Sequence, residues 1–282
     1  MDERQTEQLR YTILDPTGNI TALVESPVDP ARQPAAAAAL MARHPAVEQV
    51  GFLRLETSPG SPVRGALRMA GGEFCGNASL CAAALVLLDR GPHSGGDRET
   101  VRLRVSGAAE PVTVRLNRTG PDSFRGGVRM PPALGVTEEV FSAGGANGRL
   151  PVVRMEGISH IVVGPASPFF DLLGDRPAAE AAVRAWCAAL SADGLGLMFL
   201  EGEGPARRLT PLVYIPGSGT VFWENSCASG TAAAGRYLAE QAGGPAALTL
   251  AEPGGSLRVE SDPVSGETWL YGGVRVLKRV GP

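Results

Sequence analysis

The chain has 282 residues, with 26 Lys and Arg against 29 Asp and Glu, so its net charge is −3. This near balance argues against nucleic acid or an anionic membrane surface as the main partner. Hydrophobic residues make up 44% of the chain and charged residues 20%, which excludes an intrinsically disordered protein. At about 150 residues per domain, the length indicates two domains.

The runs of apolar residues and the cysteine pattern favour a cytoplasmic protein. The longest apolar runs (35–42 and 81–88) span about eight residues, far fewer than the ~18 that a transmembrane helix needs. The first residues are polar and acidic, so no signal peptide is expected. The 4 cysteines include no C-x-x-C pair, and with only 3 histidines we expect free thiols and no metal site.

The first half of the chain is predicted to alternate strands with two helices. A hairpin opens it, because turn residues 15–19 join two β-rich runs. A stop signal at 90–92 ends the second helix, and Pro131-Pro132 marks a domain hinge. The expected elements are strands at 11–14, 20–24, 47–55, 66–69, 101–105 and 112–116, and helices at 34–43 and 75–88.

The second half shows a similar mixture and completes a strand-rich α+β chain. Its two helices are expected at 178–190 and 228–241, the latter ended by Gly243-Gly244. Strands are expected at 152–155, 161–163, 197–200, 209–215, 220–223, 248–250, 257–259, 269–271 and 274–277.

An internal repeat is the most informative feature of this pattern. Cys75-Gly76-Asn77-Ala78 opens one Ala-rich helix, and Cys227-Ala228-Ser229-Gly230 opens another about half the chain later. Each helix precedes two predicted strands with a glycine turn between them. The sequence therefore predicts two similar domains, each with one cysteine at the start of a helix.

A thiol at a helix start is suited to acid–base chemistry. The helix dipole and the free backbone N–H groups stabilise a thiolate, so we expect a lowered pKa for both thiols. The same N–H groups can hold a carboxylate. Two such thiols, one on each side of the α-carbon of an amino acid, would catalyse racemisation or epimerisation: one removes the proton and the other returns one to the opposite face. This reaction needs no pyridoxal cofactor, and the only lysine is Lys278.

A single cysteine at a helix start is more often a small buried hydrophobic residue than a catalytic base. The matched pair favours the catalytic interpretation for Cys75 and Cys227. Cys81 and Cys187, inside predicted helices, are interpreted as structural. Among the histidines, we expect His44 at a helix end and His93 in a solvent-facing loop. His160 fits a core position and a site position equally well.

The motifs 71–78 (GGEFCGNA) and 226–231 (SCASGT) resemble the diaminopimelate epimerase-like superfamily of cofactor-independent racemases. Gly18-Asn19 and the stretch 157–160 support this, and the resemblance runs along essentially the whole chain in order. It implies two pseudo-symmetric domains, each a β-barrel-like sheet around a central helix, with the active site between them. The domains would be 1–131 plus a returning C-terminal strand at 267–282, and 132–266.

The resemblance also implies roles for individual residues. Cys75 and Cys227 would be the two bases, and Asn19 would contact the substrate. The carboxylate would lie against Gly76, Asn77, Ala228 and Ser229, mostly on their backbone N–H groups. His160 would lie near the thiols. No cofactor is implied.

Departures from the superfamily pattern bear on the substrate. Diaminopimelate epimerases carry Gly-Asn-Pro-His where this chain has 157–160 (GISH), and an aromatic-Glu-Arg stretch near 214–216 (YIP). Glu224 is a candidate to replace part of that substrate-binding function. Proline racemases have His where this chain has Asn77. The pattern resembles most the histidine racemases that supply D-histidine for opine-type metallophores.

Two alternatives stay open on the sequence alone. One is a diaminopimelate epimerase, and the other, from a different class, is a non-catalytic thiol redox sensor that uses the same two cysteines. For the racemase, the expected partner is a small amino-acid substrate, with no nucleic acid and no membrane. A homodimer is a further expectation.

Overall fold

A computed structural model describes residues 9–56, 58, 60–89 and 98–281, which form sixteen strands and four α-helices. The chain divides into two compact units. Unit 1 comprises Met1–Arg129 and Tyr271–Pro282, and unit 2 comprises Met130–Leu270. The mixed sheet with few helices agrees with the α+β prediction.

Unit 1 is an eight-stranded barrel. Its strands follow the order β1-β2-β3-β4-β5-β6-β7-β16, and β16 pairs with β1 to close the ring. The pairs β2–β3 and β4–β5 are parallel, and a helix connects each of them. The strands are β1 Tyr11–Asp15, β2 Thr21–Val24, β3 Gln49–Leu55, β4 Gly65–Met69, β5 Glu99–Val105, β6 Val112–Gly120, β7 Ser123–Arg129 and β16 Thr268–Val280, and the helices are α1 Gln33–Arg43 and α2 Gly76–Asp89.

Helix α2 lies inside this barrel because it has no polar face. Its residues from Gly76 to Leu87 are all buried, and it packs against β2, β3, β4, β5, β6 and β7. A helix that is apolar on all sides must be surrounded by protein. Helix α1 instead buries one face, through Ala36, Ala37 and Leu40, against β3.

Unit 2 is built on a sheet with the order β15-β14-β12-β11-β10-β9-β8, and β13 pairs with β12. The pairs β10–β11 and β12–β14 are parallel. Its strands are β8 Gly135–Ala143, β9 Ala146–Met155, β10 Ile158–Val163, β11 Leu195–Glu201, β12 Arg208–Ile215, β13 Thr220–Trp223, β14 Ala246–Glu252 and β15 Gly255–Ser261, and its helices are α3 Arg176–Leu190 and α4 Ala228–Ala242.

As in unit 1, one helix of unit 2 is buried along much of its length and the other buries only one face. Helix α4 buries Ala228–Gly235 and packs against β9, β10, β11, β14 and β15. Helix α3 begins at the N-cap Asp175 and packs Trp186 into an aromatic core, with ring centroids 4.8 Å from Phe141 and 5.1 Å from Phe169. In the part of the chain that the structure describes, no helix is both long and apolar enough to span a membrane.

Most predicted elements are confirmed, although some strands are longer than predicted (β9 begins at Ala146 rather than at 152), and three larger differences stand out. Strand β8 was missed, because it lies at the end of the sheet with only one buried residue and lacks a strong apolar alternation. Strand β7 (Ser123–Arg129) was also missed. The two strands predicted at 269–271 and 274–277 are one continuous strand, β16. The stop signal at 90–92 and His93 lie outside the described residues.

Candidate active site

Cys75 directly precedes helix α2, and its thiol contacts the first turn. The sulfur accepts the backbone N–H of Ala78 at 3.3 Å, and the Cys75 carbonyl accepts the N–H of Ser79 at 3.0 Å. Cys75 is half-buried, while Cys81, Cys187 and Cys227 are buried. The sequence prediction that this thiol stands at a helix start is therefore confirmed.

A chain of polar side chains connects the Cys75 thiol to Asn19. The thiol donates to Oε1 of Gln49 at 3.1 Å, and Nε2 of Gln49 donates to Thr21 Oγ1 at 2.9 Å and to Asn19 Oδ1. Asn19 is buried, and its Nδ2 donates to Glu48 at 2.8 Å. The structure thus brings Asn19 into one hydrogen-bonded network with Cys75, and because the two residues lie 56 positions apart along the chain, only the fold brings them together.

The other two predicted contacts of unit 1 lie in the first turn of α2. Gly76 and Asn77 are both buried there. The preceding segment carries Glu73, whose pKa is raised because the carboxyl is buried. The first-turn N–H groups of this helix are the type of donor that binds a carboxylate.

Cys227 is the N-cap of helix α4 and repeats the geometry of Cys75. Its sulfur accepts the backbone N–H of Gly230 at 3.4 Å, the same position of the first turn as in α2. The hydroxyl of Ser229 lies 3.7 Å from the sulfur, and Ala228 and Ser229 are both buried. A Cβ at position 230 would overlap the end of the Met198 side chain and lie 3.2 Å from the Cys227 sulfur, so Met198 packs closely against this turn of the helix.

Two carboxyl groups lie beside the Cys227 thiol. The side chain of Glu224 is hydrogen-bonded to the thiol, and Oε2 of the buried Glu252 accepts the backbone N–H of Cys227 at 2.6 Å. Burial, followed by the charges of these two carboxyls, raises the pKa of the Cys227 thiol well above its usual value, although the N–H of Gly230 lowers it. The expectation of a lowered pKa is therefore wrong for Cys227, because burial and the neighbouring acids outweigh the helix start.

His160 lies within strand β10 and is fully buried. Neither ring nitrogen has a hydrogen-bond partner. Burial lowers the pKa of His160 to about 3, so the ring is neutral. A Cβ at Gly196 on the neighbouring strand would overlap the ring at Nδ1, and it would also contact Met198, the residue that packs against Gly230. His160 is thus a core residue by burial, on the strands against which α4 packs.

Sequence reasoning missed two residues that contact the two cysteines: Gln49 accepts from the Cys75 thiol, and Glu252 accepts from the backbone N–H of Cys227. A signal for Glu252 was present: in β14 it follows Leu248 and Leu250 at a spacing of two, so it occupies a position that should face inward. Gln49 opens strand β3, and no motif in the sequence links it to Cys75.

The remaining cysteines and histidine lie where the sequence predicts. Cys81 is buried inside α2, and Cys187 is buried in α3, where its thiol donates to the Ala192 carbonyl at 3.2 Å. His44 ends α1, and its Nε2 lies 2.8 Å from the Tyr11 hydroxyl. Within residues 9–56, 58, 60–89 and 98–281, no three His, Cys, Asp or Glu side chains form a group suited to a metal ion.

Comparison with protein families gives a match along nearly the whole chain. Residues 8–269 match the family described as the histidine racemase CntK N-terminal domain. A histidine racemase of Staphylococcus aureus is 29% identical over 256 residues, which cover 90% of this chain and 88% of the relative. A histidine racemase of Fusobacterium nucleatum is 27% identical over 242 residues, or 84% of this chain and 83% of the relative.

Solved structures show the same fold. A predicted epimerase from Pseudomonas aeruginosa has a TM-score of 0.65 at 18% identity and covers 98% of this chain and 99% of its own. A hydroxyproline epimerase from Agrobacterium vitis, solved with trans-4-hydroxy-L-proline bound, has a TM-score of 0.66 at 14% identity, with 96% and 93% coverage. At these identities the likeness concerns the fold.

Proposed function

The chain belongs to the histidine racemase family, and from that membership we propose that it interconverts L- and D-histidine with Cys75 and Cys227 as the two bases. The family membership makes it an isomerase of the racemase class. The finer assignment of the bases is carried by one observation: each thiol caps a helix, and each sulfur accepts the N–H of the third residue of that helix.

The reaction follows from the chemistry of two thiols. One cysteine, as thiolate, removes the α-proton and becomes a thiol, while the other, as thiol, delivers its proton to the opposite face and becomes a thiolate. The product leaves with inverted configuration, and the two sulfurs have exchanged their protonation states. Reaction in the reverse direction restores them, so protons and charge balance.

The N–H groups at the two helix starts have the second role in this proposal. The substrate carboxylate would be held by the first-turn residues Gly76, Asn77, Ala228 and Ser229. Donors to that carboxylate also stabilise the negative charge that develops when the α-proton leaves. Asn19 and Glu224 are candidates for substrate contacts, each within a hydrogen-bonded group that contains one of the thiols.

The test follows exchange of the α-proton. The reduced protein is incubated in D₂O with L-histidine, and the loss of the α-proton signal is measured by NMR together with optical rotation. We expect exchange with histidine, and parallel samples with LL-diaminopimelate and L-proline test the competing substrates. Exchange confined to diaminopimelate would replace the histidine assignment with an epimerase.

Substitutions then test the two bases. Cys75→Ser and Cys227→Ser should each reduce racemisation by about 10²-fold or more, since each removes one of the two proton-transfer groups. The matched controls are Cys81→Ala in unit 1 and Cys187→Ala in unit 2, which should retain activity. If Cys81→Ala inactivated the protein as strongly as Cys75→Ser, the assignment of the bases would be wrong.

Three finer points belong to the same proposal. The two units would be pseudo-symmetric repeats, each with a thiol-capped helix surrounded by strands. D-histidine would be the product used for a metallophore, and the protein would form a homodimer. Light scattering tests the homodimer, and analysis of the compounds that accumulate in a strain lacking the protein tests the metallophore role.

A further inference from the structure

A buried carboxyl group contacts the first turn of α4 from strand β14. Oε2 of Glu252 lies 2.6 Å from the backbone nitrogen of Cys227, and Oε1 lies 2.5 Å from the hydroxyl of Thr231. Glu252 and Thr231 are both buried. One side chain thus holds both the residue that bears the thiol and a residue one turn further along the helix.

A second contact ties the same strand end to the segment before the thiol. The backbone N–H of Gly254, in the turn after β14, donates to the carbonyl of Asn225 at 2.7 Å. The carboxyl of Glu252 and this turn therefore fix the backbone on both sides of Ser226. Since Cys227 is the N-cap with an extended φ of −126°, its sulfur position depends on how this backbone is held.

We propose that Glu252 is a positioning residue for Cys227, which fixes the second thiol at the helix start and controls its charge through the carboxyl that binds its peptide N–H. This inference rests on the proposed function, in which Cys227 is one of the two bases. Glu252 acts through Cys227 and takes no proton from the substrate.

The charge of this carboxyl matters because acids surround the thiol. The groups that face it are Cys227 and Thr231 from α4 and Glu224 from the segment before the helix. Burial, with a smaller contribution from the charge of Glu224, raises the pKa of Glu252 to about 8, although the hydrogen bonds from Thr231 and Cys227 oppose the rise. At neutral pH the carboxyl is therefore mainly protonated and adds no second charge beside the thiol. Above about pH 8 it ionises and opposes formation of the Cys227 thiolate.

Two substitutions separate positioning from charge. Glu252→Gln keeps an oxygen to accept the N–H of Cys227, and its amide nitrogen can donate to the hydroxyl of Thr231, but it cannot ionise. Glu252→Leu removes both contacts. Glu240→Gln is the matched control, because Glu240 lies near the far end of the same helix, where it pairs with Arg236 at 2.7 Å.

The thiol is observed directly with cysteine labelled at ¹³Cβ. The chain has only 4 cysteines, so their resonances can be assigned with single substitutions and titrated against pH. At about pH 9.5 we expect the thiolate fraction of Cys227 to be about threefold larger in Glu252→Gln than in wild type, because the neighbouring charge is gone. The Cys75 titration should stay unchanged.

Kinetics supply the second readout. At neutral pH, Glu252→Gln should retain kcat within about threefold, whereas Glu252→Leu should lower kcat by about tenfold or more with a smaller change in KM. Circular dichroism shows whether the Leu variant folds, and the Gln variant tests the proposal if it does not. An unchanged Cys227 titration in Glu252→Gln would overturn the proposal. If wild type exchanged no histidine proton, the proposed function would fail while the titration still decided the role of Glu252.

Discussion

Polar side chains buried beside the two thiols show at the residue scale where the chain departs from ordinary core packing. Asn19 and Glu252 are buried, but each has hydrogen-bond partners within its own unit. His160 is buried with neither ring nitrogen bonded, which costs free energy that an apolar residue would avoid.

The burial of His160 predicts a specific loss of stability in acid. Its pKa is about 3 in the folded protein against about 6.5 unfolded, so between these values the unfolded chain binds one more proton. Stability is therefore complete above pH 6.5 and falls as pH decreases toward 3, by about 1.4 kcal/mol per pH unit.

The variant His160→Gln removes this titration and keeps a neutral polar side chain. Between pH 6 and pH 5, wild type should lose about 1 kcal/mol more of its free energy of unfolding than the variant does. Urea unfolding at the two pH values measures both losses. Equal losses would show that the ring is protonated in the folded state, contrary to its burial.

At the scale of elements, the turn after β5 supports the segment that leads into Cys75. Gly107 has a φ of +70°, and a Cβ there would overlap the backbone nitrogen of Phe74 and lie 2.7 Å from the carbonyl carbon of Glu73. The hydroxyl of Ser106 also donates to the Glu73 carbonyl at 2.8 Å. The position of the first thiol therefore depends on a turn more than thirty residues further along the chain.

Gly107→Ala should displace this segment and lower both stability and racemisation. We expect a loss of about 3 kcal/mol in the free energy of unfolding, from backbone strain together with overlap. Gly144→Ala is the control, because Gly144 has a φ of +57° with no atom within 4 Å of the added Cβ. It should cost only about 1 kcal/mol and leave activity intact. Equal costs in urea unfolding would mean that the overlap at Phe74 is relieved.

The elements that could be predicted are those whose pattern of apolar and small residues reflects where they are buried. Helix α2 is apolar on all sides, and a cysteine followed by small residues marked its start. Strand β8 buries only one of its nine residues, so its pairing with β9 leaves no apolar pattern in the sequence. The contact of Gln49 with Cys75 joins a strand to a helix start 26 positions later, and only the register of the sheet determines it.

For the whole molecule, the order of the strands makes unit 1 depend on both ends of the chain. Strand β16 lies in unit 2 at residues 268–270 and in unit 1 from Tyr271 onward. It pairs with β1 from Tyr11↔Val280 to Asp15↔Arg275, and Val276 donates its N–H to the Asp122 carbonyl at the start of β7. The barrel around α2 is therefore complete only after the last strand has been synthesised, which is expected to slow folding.

A chain that ends at Leu270 tests this dependence. Without residues 271–282, β1 and β7 each lose their β16 partner, and the apolar interior around α2 loses one wall. Hydrogen exchange should show the α2 amides losing protection by about 10²-fold or more, because the barrel opens at its closing strand. Helix α3, whose aromatic core lies within unit 2, should keep its protection. A chain that ends at Val280 is the control, since it retains all of β16. Full protection of α2 in the shorter chain would show that seven strands suffice to hold the helix, and that closure by β16 contributes little to the stability of unit 1.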